Sequence, residues 1–189
     1  MNGAPQAIVI GASAGAVQAL SCILPCLPAA YALPVLIVVH VPAEPSGLPA
    51  LFRTKCKLRV CEPEDKEPIS PGTIYFAPAG YHMLVEQDHS IALSKDEPVL
   101  FSRPSIDILF ESAADSYEGA LIGVILTGAN DDGANGAAAV LAAGGDILIE
   151  DPDLAFASAM PSAAVANCPY AHVLSLEAIA DYLVRLGET

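Results

Sequence analysis

Three short segments of the 189-residue chain carry side chains suited to acyl-transfer chemistry. Gly11-Ala12-Ser13-Ala14-Gly15 follows a buried-looking apolar run and fits G-x-S-x-G, the pattern of a serine exposed on a tight strand-to-helix turn. At the start of the following helix, backbone N–H groups and the helix dipole favour a developing negative charge. The same kind of small-residue turn also binds phosphates, so taken alone it leaves both readings open. His40 closes a second apolar run, ahead of Val41-Pro42. A lone imidazole there is ordinarily a core histidine with a satisfied hydrogen bond. Its position argues for more, because the end of a neighbouring strand lies within reach of Ser13 and a general base must approach its nucleophile that closely. Asp131 and Asp132 stand in Leu126-Thr127-Gly128-Ala129-Asn130-Asp131-Asp132-Gly133-Ala134. An Asp before an apolar helix is ordinarily its cap. Of an adjacent pair, one can cap while the other orients the imidazole and stabilises its cation. The order Ser, Asp, His through His172 is rejected: in α/β-hydrolases the nucleophile follows a strand well into the chain, and His40 would be left unexplained.

The elements that must position these residues alternate. Ala7 to Gly11, Pro34 to Val41, Lys57 to Cys61, Leu121 to Leu126, Gly145 to Ile149 and His172 to Leu174 read as strands. The continuous apolar runs among them suit a parallel sheet covered on both faces. Helices are expected from about Gly15 to before Pro25, over Pro104 to Tyr117 with Pro104 in the first turn, over Asp131 to Ala143, over Pro161 to Asn167, and from a Ser175 cap to near Gly187. Thr73 to Phe76, Tyr81 to Glu86 and Ser90 to Leu93 are short, turn-separated and read as β-hairpins. The expectation is one α/β domain over residues 1–189: a doubly wound, mostly parallel sheet with helices on both faces and an inserted β-hairpin region. Active sites of such sheets lie beyond the carboxyl ends of the strands. Ser13, His40 and Asp132 all fall there.

Composition narrows the function classes. Apolar residues make up 53% of the chain, a folded globular composition. The apolar runs are too short to span a bilayer. The first residues lack the basic segment and long apolar stretch of a secretory signal, so a cytoplasmic location is expected. A net charge of −14 disfavours nucleic acid and anionic lipid surfaces as partners. Four of the eight basic residues, Arg53, Lys55, Lys57 and Arg59, fall close together, either as a solvated helix end or as a patch for an acidic partner. Five cysteines, an odd number, argue against a disulfide framework. Cys22/Cys26 and Cys56/Cys61 have spacings too loose for a zinc site, and neither metal nor cofactor is expected.

Taken together, these segments resemble the catalytic domain of the chemotaxis protein-glutamate methylesterases (CheB). Further matching stretches are Pro71 to Leu84, Arg103 to Ala114 and Ala159 to Ala164, so the resemblance covers nearly the whole chain. It implies Ser13 as nucleophile, His40 as base, Asp132 rather than Asp131 as orienting acid, and an oxyanion hole from the backbone N–H groups near Ala14 and Ala129. His82, Arg103 and Met160 would line the substrate groove. The implied reaction is hydrolysis of glutamyl methyl esters on the cytoplasmic helices of chemoreceptors, with glutamine deamidation by the same steps. The chain departs from the family at Ala14 (usually Thr), Ala16 (usually Gly), Ala129 and Asn130 (usually Met and Gly) and Val41 (usually Met). Backbone donors survive such changes, but the pocket wall differs. Rival readings are therefore a serine esterase or amidase with another substrate, and a non-catalytic scaffold. The family's receiver domain is not expected, since strand one begins almost at Met1; the activity would then be constitutive, controlled by a separate partner, or controlled by a further domain.

Overall fold

The computed structural model describes residues 4–40 and 47–187. Seven strands form one sheet in which every pairing is parallel: β1 (Ala7–Ala12), β2 (Val35–Val39), β3 (Arg59–Cys61), β4 (Thr73–Phe76), β7 (Leu121–Ile125), β8 (Asp146–Glu150) and β9 (His172–Leu174). Between β4 and β7 an antiparallel hairpin, β5 (His82–Val85) with β6 (Ile91–Ser94), stands apart from the sheet. The strand order is β3-β4-β2-β1-β7-β8-β9. The chain thus builds outward from β1 on one side, then returns to β1 and builds outward on the other.

Both faces of the sheet are covered, which is why the strands are apolar at successive positions rather than alternate ones. Ile8, Ile10, Ile37 and Val124 pack toward α1 (Ala16–Ile23), α2 (Leu48–Arg53) and α6 (Leu176–Leu186), against Leu20, Phe52 and Leu183. Val9, Leu36, Ile125 and Ile149 pack toward α3 (Ile106–Tyr117), α4 (Ala134–Ala142), α5 (Ala159–Asn167) and the hairpin, against Phe110, Val140, Ala164 and Met83. No described helix is long and apolar enough to cross a membrane.

Three local expectations need correction. Thr73–Phe76 is no hairpin strand: it pairs in parallel with both β2 and β3 inside the main sheet. A four-residue strand is too short to reveal its partner, and the segments that follow it carry a hairpin pattern. Pro104 lies outside α3, whose cap is Ser105. The helix expected from Asp131 begins instead at Ala134, after Gly133 in a left-handed conformation (φ 100°), so both aspartates lie in the loop. Val41 and the rest of residues 41–46 lie outside the described residues.

Candidate active site

The loops after β1 and β7 leave adjacent strands toward opposite faces, α1 on one and α4 on the other. Such a reversal opens a crevice at the carboxyl edge of a parallel sheet. Ser13 stands on its β1 side. The Ser13 N–H donates to Thr127 O (2.9 Å), and its carbonyl accepts from Ala16 N (3.0 Å), closing the turn into α1. Gly15 makes the turn possible, with φ 87°. A Cβ there would sit 2.8 Å from Phe156 Cβ and 3.0 Å from Thr127 Cγ2, so no other residue fits without displacement.

On the other side of β1, pairing with β2 runs to Ala12 opposite Val39, and the His40 N–H continues it by donating to Ala12 O (3.1 Å). His40 therefore stands beside Ser13 at the sheet edge. Its Nε2 lies 2.7 Å from Asp132 Oδ2, leaving Nδ1 as the nitrogen for a nucleophile. Among the described residues Ser13 Oγ makes no hydrogen bond, so the expected chain is closed between His40 and Asp132 and not between Ser13 and His40. Contacts of that kind are often long in unliganded hydrolases and tighten with substrate.

Asp132 is completely buried. Besides His40, it accepts from Ser105 Oγ (2.9 Å), Ile106 N (2.7 Å) and Asp107 N (3.0 Å). It therefore caps α3, a helix distant in sequence, rather than its own. Asp131 is exposed, and only its carbonyl takes part in the turn, accepting from Ala134 N. Burial, the largest single influence, pushes the Asp132 carboxyl upward. The bond from His40 and those from the Asp107 and Ile106 N–H groups together outweigh it, holding Asp132 below the ordinary aspartate range. The ionised carboxylate is thus the resting form, ready to support an imidazolium.

The Thr127–Gly133 loop is braced from several sides. Thr127 N–H donates to the buried Glu150 Oε2 (2.7 Å), and Thr127 Oγ1 donates to Ala14 O (2.8 Å) and accepts from Ala157 N (2.8 Å). Gly128 exchanges backbone bonds with Ala157 and Met160. Asn130 Oδ1 accepts from Asp132 N (3.3 Å) and helps shape the turn. Among the described residues, the N–H groups of Ala14 and Ala129 have no acceptor. Both border the crevice.

The three residues expected to line a groove are placed differently. His82 is fully buried: its Nδ1 accepts from Ser105 N (3.1 Å) and its Nε2 meets Glu97 O (3.1 Å), so it supports the start of α3 from beneath. Met160 is 1% exposed and packs under Gly128, where an added Cβ would meet its Cε at 2.5 Å. Arg103 Nη1 donates to Lys95 O and Asp96 O (both 3.0 Å), bracing the segment between the hairpin and α3, while its buried Nε has no partner. His82 and Met160 are thus buried supports of the backbone, while Arg103 is half-buried and braces the chain between the hairpin and α3. Phe156 lies against Gly15 of the nucleophile turn and is 81% exposed. No group of three or more His, Cys, Asp or Glu able to hold a metal occurs among the described residues, and all five cysteines are free.

A profile of the CheB methylesterase family matches residues 8–183. The chain belongs to that family. A Leptospira interrogans protein (serovar Lai), provisionally named protein-glutamate methylesterase/protein-glutamine glutaminase, is 45% identical over 184 residues, 97% of this chain and 95% of that one. A Maricaulis maris protein-glutamate methylesterase/protein-glutamine glutaminase is 36% identical over 96% of this chain, which spans 46% of its length. The crystal structure of the Thermotoga maritima CheB methylesterase catalytic domain matches with a TM-score of 0.90 at 32% identity, covering 96% of this chain and 98% of that one. The match extends to the α/β fold with its parallel sheet. Sequence reasoning missed Ser105, Asp107, Thr127 and Glu150 as parts of the site. For Glu150 a signal existed: it closes an apolar strand at the carboxyl edge, as His40 does. Ser105 and Asp107 lie in the family-like stretch Arg103 to Ala114, but nothing in it points to Asp132, a partner far away in the chain.

Proposed function

We propose that this CheB-family chain is a serine hydrolase that removes methyl esters from glutamyl side chains of chemoreceptors, and deamidates glutamines by the same steps. The observation that carries this reading is the 2.7 Å bond between His40 and the buried Asp132, at the strand end beside Ser13. Ser13 Oγ attacks the ester carbonyl while His40 Nδ1 takes its proton, and Asp132 stabilises the imidazolium through Nε2. The Ala14 and Ala129 N–H groups receive the oxyanion, a contribution of about 3–4 kcal/mol per donor in comparable hydrolases. His40 returns the proton to the departing methoxide, so methanol leaves. Water then donates a proton to His40 as its oxygen attacks the acyl carbon; His40 passes that proton to the departing Ser13 Oγ, and the acid product ionises to the carboxylate. Glutamine deamidation differs only in ammonia as the leaving group.

A protein substrate is supported by Phe156, an aromatic ring held in solvent next to the nucleophile turn with Leu154 exposed nearby. The substrate helices are taken to be cytoplasmic. A second reading, a serine esterase or amidase with another substrate, is favoured by Ala14, Ala129 and Asn130, which alter the rim of the crevice. The test is methanol release from methylated receptors by wild type and Ser13→Ala. Release by wild type alone supports the methylesterase. Cleavage of small esters without release from any receptor supports the second reading. No Ser13-dependent turnover of either rejects both in favour of a scaffold.

A further inference from the structure

The loop carrying Asp132 and the helix that Asp132 caps are tied together twice. Asp132, just ahead of α4, accepts the first N–H groups of α3. Asp107, in the first turn of α3, returns the arrangement: its Oδ1 accepts from Gly133 N (2.9 Å) and Gly136 N (2.7 Å), the first N–H groups of the α4 end. Its Oδ2 takes a longer bond from Asn135 Nδ2 (3.3 Å). The start of α3 and the loop leading into α4 thus each cap the other's helix. Gly136 lets them approach, since a Cβ there would meet Phe110 Cβ at 2.5 Å and the Asp107 Cα at 3.1 Å. Asp107 is 5% exposed.

Two nearby buried carboxylates are an expensive way to cap two helices. Burial raises the Asp107 carboxyl; the Gly136 N–H opposes this, and the charge of Asp132 raises it further. An Asn or Ser would cap α4 without that repulsion. What the Asp107 side chain supplies toward the site is one short, fixed acceptor oxygen, Oδ1, holding Gly133, the residue after Asp132. We propose that Asp107 is a positioning residue for the hydrolysis: its Oδ1 fixes the Gly133 turn, and through it the place of Asp132 and the His40 ring. The inference rests on the reading of Ser13, His40 and Asp132 as the reacting unit. Asp107 touches no reacting atom; its effect passes through the acceptor geometry, not its charge.

The test is the rate at which a fluorophosphonate labels Ser13 in wild type, Asp107→Asn, Asp107→Glu and Asp107→Ala. Far-UV circular dichroism and urea midpoints are measured in parallel. Asn keeps an oxygen at the Oδ1 position for both N–H groups, so labelling should stay within about threefold of wild type. Glu keeps the charge but displaces the acceptor by a methylene, and labelling should fall about tenfold to a hundredfold in protein that is still folded. Ala should fall at least as far; if it does not fold, the Asn and Glu pair decides. With a small ester, the loss in Asp107→Glu should appear in kcat with KM unchanged. Any other order of Asn and Glu overturns the proposal, as does unlabelled wild type. Labelled wild type that releases no methanol from receptors would overturn the substrate assignment and leave the role of Asp107 standing.

Discussion

Asp132→Asn tests the site at its most constrained point. The carboxylate accepts four hydrogen bonds, two on each oxygen. An amide has one oxygen, so one side of the variant must turn an NH2 toward two donors. If the amide nitrogen faces Ser105 and Asp107, the Ser105 hydroxyl can rotate to accept but the Asp107 N–H is stranded. If it faces Ile106 and His40, the Ile106 N–H is stranded instead and His40 Nε2 must become an acceptor. Either way a buried backbone donor loses its partner, at about 1–3 kcal/mol. The favourable charge at the N-terminus of α3 disappears as well, so a total loss of about 2–4 kcal/mol is expected at neutral pH. The sign with pH follows from the lowered Asp132 pKa. The carboxylate's contribution is present above the ordinary aspartate range and lost as pH falls through the lowered value, so wild type and variant should converge in acid. In catalysis, the second orientation leaves the proton on Nδ1, which then cannot take the Ser13 proton, and kcat should fall by about 10⁴. The chain has no tryptophan, so stability is followed by circular dichroism in urea and turnover by methanol release. A variant with kcat within tenfold of wild type, or with unchanged neutral-pH stability, would refute the reasoning.

Thr127→Val removes the hydroxyl joining Ala14 O to Ala157 N in a residue only 1% exposed. A loss of about 1–3 kcal/mol in urea denaturation is expected, with a drop in kcat larger than any change in KM. The Glu150 carboxyl is held above the ordinary glutamate range chiefly by burial, with the Thr127 N–H pulling the other way. Its protonated form is therefore the stabilising one: stability is full at low pH and lost as pH rises through the raised value. Glu150→Gln keeps an acceptor for Thr127, so its urea midpoint should gain on wild type as pH rises above 4.5; a gap independent of pH would reject this. Phe156→Ala should lower kcat/KM on methylated receptor about tenfold by removing one aromatic contact, while small-ester hydrolysis stays unchanged. Equal losses on both substrates would place Phe156 in the crevice rather than on the docking surface. Charge reversal at Lys55 and Lys57 should weaken receptor binding measured at low salt, and unchanged binding would remove the basic strip as a docking patch.

The sheet was legible because burial on both faces writes continuous apolar runs, as in Ala7 to Ala12 and Val35 to Val39. Ser13, His40 and Asp132 were legible because a parallel sheet has one functional edge and each follows a strand that reaches it. What remained hidden depended on partners remote in the chain. Thr73–Phe76 was misassigned because strand pairing is not written in four residues. Asp132 was expected to cap or to catalyse; it orients His40 and caps α3, across 25 or more residues. His82 looked available in a hairpin, yet both ring nitrogens are taken by backbone groups brought in by the tertiary fold.

The strand order also sets when the crevice can exist. Ala7 pairs with Leu121, so β1 waits for the second half of the chain before its β7 edge is covered. Closing so long a loop is entropically unfavourable, and folds rich in distant pairings fold slowly. On refolding, the pairing of β1 with β2 can form early and bring Ser13 and His40 to one edge. Asp132 reaches them only when β7 docks. A chain halted before that step would hold much of its helix and strand signal and hydrolyse nothing, so regained turnover times the meeting of the two halves.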